Sequence, residues 1–216
     1  MGARGEDIRV VVVDDHDLFR HGLRELFEEQ GIRVVGEASD GEEAVRLATH
    51  SLPDVVVMDL NLPRVSGVEA IRRLTSAAPT VRVLVLTISA DDDDVLDAIE
   101  AGASGYLLKD ASIAEIAAGV RAAAAGDALL SPRIAVHLLK RLRCGGSNGE
   151  VDHAELSDRE LEVLRLMAQG RENAVIAQSL VISPRTVKNH ISSILAKLRM
   201  ENRIQAAVYA VRRGIV

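Results

Sequence analysis

Polar residues stand directly behind apolar runs at several points in the first half of the chain, and together they could bind a metal ion. They are Asp14 and Asp15 after residues 10–13, Asp59 after residues 55–58, and Thr87 and Lys109 at the ends of two later runs. Closely packed carboxylates repel one another unless a hard cation neutralises them, and oxygen ligands that leave room for water suit Mg²⁺ better than a softer metal. These residue types therefore predict a magnesium site with a hydroxyl and an ammonium beside it, provided that the fold brings them together.

The runs themselves are typical of buried strands in a parallel sheet. Three are almost wholly apolar and two weaker ones complete a set of five: IRVVVV at 8–13, RVVGE at 33–37, VVVM at 55–58, VLVLT at 83–87 and GYLLK at 105–109. Near-continuous apolar strands are expected where helices cover both faces of a sheet. Because functional crevices in such sheets lie beyond the carboxyl ends of the strands, the five polar residues are expected at one edge.

Helix start signals separate the predicted strands. Three pairs have the capping-box spacing, in which an N-cap residue and an acid three positions later satisfy each other's backbone amides: Asp40 with Glu43, Ser66 with Glu69, and Ser112 with Glu115. This alternation predicts an α/β domain with a doubly wound, five-stranded parallel sheet of the flavodoxin type over about residues 6–127. Four aspartates at 91–94 stand at a predicted helix start, so we interpret them as capping and solvated residues rather than a metal site.

The second half of the chain has helical periodicity and no strand pattern. Ser131 and Pro132 begin a short helix, and CGGSNGE at 144–150 indicates a linker, so we assign residues 128–153 to a linker that contains this helix. Four more helices are predicted between residues 154 and 216, with starts at Ser157, near residue 173, at Ser183 and at Asn202. This segment is expected to form a small all-α domain.

Residues 173–198 have the pattern of a helix, a tight turn and a second helix. Apolar residues of the second helix share a stripe about 100° wide: Val187, Ile191, Ile194, Leu195 and Leu198. The opposite face is polar and cationic, with Arg185, Asn189, Ser192 and Ser193, flanked by Lys188 and His190. Amides and small hydroxyls suit base edges in a DNA major groove, while Arg and Lys suit phosphates. A face that is merely solvated would have the same composition.

Composition and charge indicate two globular domains with different partners. The chain has 216 residues, of which 48% are hydrophobic and 27% charged, and this excludes disordered and fibrous proteins. The net charge of −6 is uneven, because residues 1–127 carry 12 Lys and Arg against 24 Asp and Glu, whereas residues 128–216 carry 14 against 8. The basic half is a candidate for binding an anion such as nucleic acid, with solvated basic helices as the alternative.

Cysteine content and the terminal sequence bear on the compartment. A single cysteine, Cys144, cannot form an internal disulfide or a cysteine-based zinc site, which fits the reducing cytoplasm. The N-terminus, MGARGED, has no apolar signal segment, and Glu6 stands where a myristoylation signal has Ser or Thr. Apolar runs such as 10–13 and 83–86 are far shorter than the roughly 20 residues of a membrane span. We therefore expect a cytoplasmic protein without a membrane partner.

The motifs of the first domain resemble a known family. VVVDDHDLFRHGL, VVVMDLNLPRVSGVEAIRRL, VLVLT and GASGYLLKD are similar to the receiver domain of bacterial two-component response regulators, over residues 8 to about 127. The resemblance implies that Asp59 is the phosphoacceptor, because a carboxylate can accept a phosphoryl group by in-line attack. It also implies these roles: Mg²⁺ held by Asp14, Asp15, Asp59 and the backbone carbonyl of Asn61, a phosphoryl contact from Lys109, and conformational switching by Thr87 and Tyr106.

The second domain resembles the LuxR-type helix-turn-helix. LSDRELEVLRLMAQG, IAQSLVISPRTVKNHISSILAKL and NRIQAAVYA carry this resemblance over about residues 154–216, and with the receiver they are similar to the NarL/FixJ group of response regulators. It implies base contacts from Lys188, Asn189 and Ser192, phosphate contacts from Arg185, Thr186 and Lys197, and dimerisation through Ala207, Val208 and Val211. Two departures stand out: the family usually has Lys-Glu where this chain has Ala174 and Val175, and Gly where it has Arg199. These changes are expected to weaken DNA binding.

Together the resemblances imply a DNA-binding transcriptional regulator that is not an enzyme and is switched when a sensor histidine kinase phosphorylates Asp59. Implied partners are that kinase, double-stranded DNA with inverted half-sites about one helical turn apart, and a second copy of the chain when phosphorylated or DNA-bound. RNA polymerase is a further candidate.

Two other classes of protein remain to be weighed. One is a Mg²⁺-dependent phosphohydrolase that forms an aspartyl-phosphate at Asp59. Such hydrolases resemble one another in having a second acid two residues after the nucleophile, where this chain has Asn61. The other is an adaptor that works without phosphorylation, and it would be expected to lack part of the acid cluster.

Overall fold

The computed structural model describes residues 8–88, 92–130, 156–200 and 202–215. In residues 8–130, which we call the first part, the described residues form five strands that alternate with five helices. The strands are β1 (Arg9–Val13), β2 (Arg33–Ala38), β3 (Val55–Met58), β4 (Arg82–Thr87) and β5 (Gly105–Leu108). The helices are α1 (Asp17–Glu29), α2 (Gly41–Ser51), α3 (Gly67–Ala77), α4 (Asp92–Glu100) and α5 (Ile113–Ala125). Each strand agrees with its predicted range to within one residue at either end.

The five strands form one parallel sheet in the order β2-β1-β3-β4-β5. Because every strand runs the same way, all five carboxyl ends lie at one edge, which we call the C-edge, and all five amino ends lie at the opposite N-edge. The order reverses next to β1, so the crevice expected in doubly wound sheets lies at the ends of β1 and β3. The predicted fold class is confirmed.

Side chains of β1 alternate between two apolar layers. Val10 and Val12 pack with residues of α1 and α5 on one face, and Val11 and Val13 pack with residues of α2, α3 and α4 on the other. None of the four is more than 1% exposed. Helices on both faces thus explain why the central strands are apolar at every position instead of at alternate ones.

The three predicted capping residues of the first part are confirmed as N-caps. Asp40 accepts hydrogen bonds from the backbone amides of Glu42 and Glu43, both at 2.9 Å. Ser112 and Glu115 complete a reciprocal box, since the Ser112 amide donates to the Glu115 carboxylate at 2.8 Å. These bonds satisfy amides that the first turn of a helix leaves without intrahelical partners.

The described residues between 156 and 215, which we call the second part, form four helices: α6 (Asp158–Ala168), α7 (Asn173–Leu180), α8 (Pro184–Leu198) and α9 (Arg203–Arg212). They enclose a separate apolar core, to which α8 contributes the buried side chains of Val187, Ile191, Ile194 and Leu198. The predicted linker and its short helix fall almost wholly on residues 131–155, which lie outside the described residues. In the described ranges no helix is long and apolar enough to cross a membrane.

Candidate functional site

Two buried carboxylates and one ammonium meet at the C-edge. The Lys109 Nζ atom lies 2.6 Å from an Asp14 carboxylate oxygen and 2.6 Å from an Asp59 carboxylate oxygen. Asp14 and Asp59 are 2% and 3% exposed, although they follow different strands. The parallel sheet therefore brings together groups that are 45 and more residues apart in the sequence.

Lys109 is charged in this arrangement. Burial by itself lowers the pKa of the ammonium, but hydrogen bonds to Asp14 and Asp59 outweigh burial and raise the pKa above its usual value. The ring of Phe19 lies 4.7 Å from the Nζ atom, so a cation-π contact adds to the attraction. One positive charge thus stands between two buried negative charges.

Asp15 and His16 form the exposed rim of the cluster. The His16 Nδ1 atom lies 2.6 Å from an Asp15 carboxylate oxygen and 3.3 Å from an Asp14 carboxylate oxygen. One ligand atom from each of Asp14, Asp15 and His16 falls within 4.8 Å of the others, a spacing that could hold a metal ion. His16 is the N-cap of α1, and sequence reasoning missed its contact with the acids. Its position directly after the two aspartates was the available signal.

The loop after β3 holds Asp59 through backbone contacts. The Asn61 amide donates to an Asp59 carboxylate oxygen at 3.2 Å. Gly67 begins α3 so close to this loop that a Cβ atom there would overlap the Asp59 carbonyl oxygen and lie 2.6 Å from the Leu60 Cα atom. Glycine is therefore required at position 67, a constraint that the sequence pattern did not indicate.

Thr87 and Tyr106 are both fully buried, at 0% exposure. Thr87 ends β4, and its carbonyl oxygen accepts a hydrogen bond from the Lys109 amide at 2.9 Å. Tyr106 lies in β5 within the apolar layer that also contains α2, α3 and α4. Tyr106 is therefore a core residue in this structure. Its change of position on activation stays a prediction.

Arg20 ties the acid loop to β2, a role that sequence reasoning missed. Its guanidinium donates to the Asp14 carbonyl oxygen at 2.7 Å and to the Asp17 carboxylate at 2.6 Å. A third contact reaches the Glu37 carboxylate at 3.3 Å. The loop that carries Asp14 and Asp15 is therefore held from the side of α1 as well as by β1.

The second part presents the polar face of α8 largely as predicted. Arg185, Lys188, Asn189 and Ser192 are exposed, and Thr186 is half-buried, with its hydroxyl 2.8 Å from that of the N-cap Ser183. Ser193 is an exception, because its hydroxyl points inward and donates to the Glu160 carboxylate at 2.6 Å. Helical geometry alone assigned Ser193 to the outer face, and that assignment is wrong.

Lys197 also contacts Glu160. Its Nζ atom lies 2.7 Å from a Glu160 carboxylate oxygen, while the Lys197 side chain keeps 37% of its surface exposed. An ammonium has three protons to donate, so a phosphate contact from Lys197 would share this group with Glu160.

Arg199 adopts the left-handed conformation in which the family usually has glycine. Its φ of 53° closes α8, and its side chain is exposed. Ala174 and Val175, the other departure, lie exposed on α7.

The two parts of the molecule meet where α4 ends and α9 begins. The Gln205 side-chain amide donates to the carbonyl oxygens of Ile99, at 3.0 Å, and Glu100, at 3.3 Å. Arg203 donates to the Asp127 carboxylate. Burial raises the pKa of that carboxyl and lowers the pKa of the Arg203 guanidinium, and the attraction between them offsets only part of both shifts.

Residues predicted for DNA binding and dimerisation lie near this junction. A cavity of about 260 Å³ separates α8 from the N-edge, and Lys188 and Ser192 line it together with Asp54. A second cavity of about 450 Å³ is lined by the three residues predicted for dimerisation, Ala207, Val208 and Val211. Val208 also packs against the apolar layer of the sheet.

Comparison with known proteins identifies both parts. Residues 10–121 match the family model of the response regulator receiver domain, and residues 154–210 match that of the bacterial regulatory proteins of the LuxR family. The chain belongs to the response regulators of the NarL/FixJ group. This response regulator is 46% identical to the transcriptional regulatory protein LiaR of Bacillus subtilis over 97% of its own length and 99% of that protein.

Solved structures agree with this assignment. The response regulator shares 37% identity and a TM-score of 0.54 with ChrA, the response regulator of a heme-sensing two-component system, over 97% of this chain and 99% of that one. RcsB, solved as two dimers bound to two parallel DNAs, is 25% identical with a TM-score of 0.56 over 95% and 98% of the chains. The similar proteins are transcriptional regulators, and the phosphohydrolase alternative finds no support among them.

Proposed function

We propose that this DNA-binding transcriptional regulator is switched by phosphorylation of Asp59. In the transfer step a carboxylate oxygen of Asp59 attacks the phosphorus of a phosphohistidine on a sensor kinase; the new P–O bond replaces the P–N bond, and the imidazole leaves and takes a proton from water. The observation that carries the proposal is the Asp59 carboxylate itself, buried and held 2.6 Å from the Lys109 ammonium. That ammonium is placed to neutralise charge on the transferred group.

The donor set fits Mg²⁺. Asp14, Asp15 and Asp59 carry three negative charges, and the positive charge of Lys109 offsets one of them. A divalent cation would neutralise the remaining two. When bound, the ion would shield the phosphoryl oxygens from the carboxylates during transfer. Asp14, Asp15, Asp59 and the backbone carbonyl of Asn61 would hold it.

Thr87 and Lys109 would then contact the phosphoryl group on Asp59. A phosphoryl group adds up to two negative charges and three acceptor oxygens. Thr87 and Lys109 would contact these oxygens in only one of two conformations, and Tyr106 would move with Thr87. Because these contacts form in one conformation and not in the other, phosphorylation would lower the free energy of that conformation and so drive the switch.

The output would be release of the second part for DNA binding. We assign base contacts to Lys188, Asn189 and Ser192, and phosphate contacts to Arg185, Thr186 and Lys197. Both Lys188 and Ser192 line the cavity facing the N-edge, so full access of DNA to α8 requires the two parts to move relative to each other.

A homodimer bound to two inverted half-sites is the proposed active form. RcsB supports this, since it was solved as dimers on DNA. Ala207, Val208 and Val211 would form the contact between copies after the parts separate, and RNA polymerase is a further proposed partner. We keep residues 6–127, 128–153 and 154–216 as the proposed receiver, linker and DNA-binding segments.

The test combines labelling with DNA binding in the full chain. Asp59→Asn should abolish acid-labile labelling by a small-molecule phosphodonor with Mg²⁺, and should abolish any increase in DNA affinity and oligomer mass. Asp110→Asn, which changes an exposed acid beside Lys109, is the matched control and should respond like the wild type. Full labelling of the Asp59→Asn protein would show that the phosphoacceptor lies elsewhere.

A further inference from the structure

Glu160 is a buried carboxylate that joins α6 to α8. It stands in the first turn of α6 and is 4% exposed. One carboxylate oxygen accepts from the Ser193 hydroxyl at 2.6 Å; the other accepts from the Lys197 ammonium at 2.7 Å and from the Ser157 amide at 2.8 Å. Two donors from α8 and one from the N-cap of α6 therefore converge on one side chain.

These donors keep Glu160 ionised. Burial alone would raise the pKa of the carboxyl, but hydrogen bonds from Lys197, Ser193 and Ser157 lower it to about 2. A charged acceptor makes stronger and more directional hydrogen bonds than a neutral one. The contact between the helices therefore depends on the direction of each bond, unlike the apolar contacts around it.

The two donors on α8 lie one helical turn apart. Ser193 and Lys197 are four residues apart and so share one side of the helix. Two anchors separated along the axis restrict both rotation about the axis and sliding along it. Ser193 also directly follows Ser192, so its anchor sets the angle at which Ser192 and Asn189 face outward.

Small rotations matter at this surface. A side-chain atom about 6 Å from the helix axis moves about 2 Å when the helix turns by 20°, whereas a binding constellation tolerates about 0.5 Å or 10 to 20°. Buried ion pairs frequently add little net stability compared with apolar packing, and fixing one arrangement is their better-attested use.

We propose that Glu160 is a positioning residue for DNA recognition: it fixes the rotation of α8 through Ser193 and Lys197 and so sets which base edges Asn189 and Ser192 can reach. It need not touch DNA. This inference rests on the proposed reading of DNA by α8. It adds a role for Lys197, whose ammonium would orient the helix as well as meet a phosphate.

The test measures sequence discrimination in the full chain with phosphodonor and Mg²⁺. One probe is a duplex selected from a random pool by the wild-type protein, and the other is a scrambled duplex of equal composition. The readout is the ratio of the two dissociation constants, which a smaller folded fraction leaves unchanged because both constants scale together. Glu160→Gln should shrink this ratio by roughly tenfold, the size expected for one hydrogen bond to a charged group. Glu162→Gln, an exposed acid on the same helix, should keep it.

Two substitutions at Ser193 test the proposal even if the Glu160 variant fails to fold. Ser193→Ala removes one anchor and should lower the ratio, while Ser193→Thr keeps the hydroxyl and should restore it. Lys197→Met should lower the ratio too, whereas Arg185→Met should weaken binding to both duplexes equally.

Two results would overturn the inference, and they differ. A wild-type ratio near 1 would remove sequence reading by α8 and the inference together. A large wild-type ratio that Glu160→Gln and Ser193→Ala both preserve would leave the proposed function standing and reduce Glu160 to a structural role.

Discussion

Lys109 links the charge balance of the site to the proposed phosphorylation, because its ammonium bridges the carboxylates of Asp14 and Asp59. A phosphoryl group on Asp59 would give this ammonium new acceptors, so the charge balance at the C-edge must be rearranged in the same step. Thr87, fully buried at the end of the neighbouring strand, is the residue whose hydroxyl could read that rearrangement.

Thr87→Ala should separate labelling from response. The hydroxyl takes no part in attack on phosphorus, so the variant should accept the phosphoryl group at Asp59 at a similar level. It should lose most of the gain in DNA affinity, because the contact that favours the active conformation is missing. Labelling and fluorescence anisotropy on the same sample measure both properties, with Thr87→Ser as the control that keeps the hydroxyl. An unchanged gain in Thr87→Ala would mean that another residue reads the phosphoryl group.

At the scale of elements, two left-handed residues in the helix-turn-helix part stand out. Val181, in the turn before α8, has φ 54° and is 91% exposed, and Arg199, after α8, has φ 53°. Left-handed backbone costs an ordinary L-residue roughly 1 to 2 kcal/mol, and a β-branched side chain is among the poorest choices there. Neither side chain is buried, so packing does not offset this cost.

Val181→Asn should therefore stabilise the second part by about 0.5 to 1 kcal/mol, since asparagine tolerates left-handed backbone better than valine. Urea unfolding followed by circular dichroism gives the value. Val175→Asn, an exposed change within α7, is the matched control and should give no gain. Equal effects of both substitutions would show that polarity, and not backbone conformation, is responsible.

Prediction from sequence located the elements and the meeting of Asp14, Asp59 and Lys109 at one edge of the sheet, but it missed other contacts between elements. Periodicity located all five strands, and capping spacings located Asp40, Ser66 and Ser112, because both signals are local. The inward turn of Ser193 was missed because it depends on Glu160, 33 residues earlier. Gly67 was missed for a similar reason, since only the folded loop brings the Asp59 carbonyl against α3.

At the scale of the whole molecule, the contact between α4 and α9 joins the two parts. Gln205 donates to two carbonyl oxygens at the end of α4, of which that of Ile99 also accepts from the Gly102 backbone amide at 3.1 Å. The neighbouring pair of Arg203 and Asp127 is costly to bury, so it adds little to hold the parts together. Ile204 and Val208 of α9 also pack into the apolar layer that contains α4, so the junction combines polar and apolar contacts.

Gln205→Ala should loosen this junction. We expect the unphosphorylated chain to bind DNA a few-fold more tightly than the wild type, since one to two hydrogen bonds of about 1 kcal/mol each are lost from the closed arrangement. The gain on phosphorylation should shrink in proportion, because less remains to be released. Gln30→Ala, whose side chain meets Arg121 within the first part, is the control. Tighter binding by both variants, or by neither, would contradict the role given to the junction.

The length of α4 means that a small tilt at one end of the helix displaces its other end. The helix begins five residues after Thr87 and ends at Glu100, so its nine residues span about 13 Å between the C-edge and the contact with Gln205. A tilt of about 10° at the Thr87 end would carry the far end through about 2 Å, and a hydrogen bond of 3.0 Å does not survive such a displacement. A small movement near Asp59, the proposed phosphoacceptor, would thereby be magnified at the junction, so the proposed switch needs no large rearrangement of the sheet.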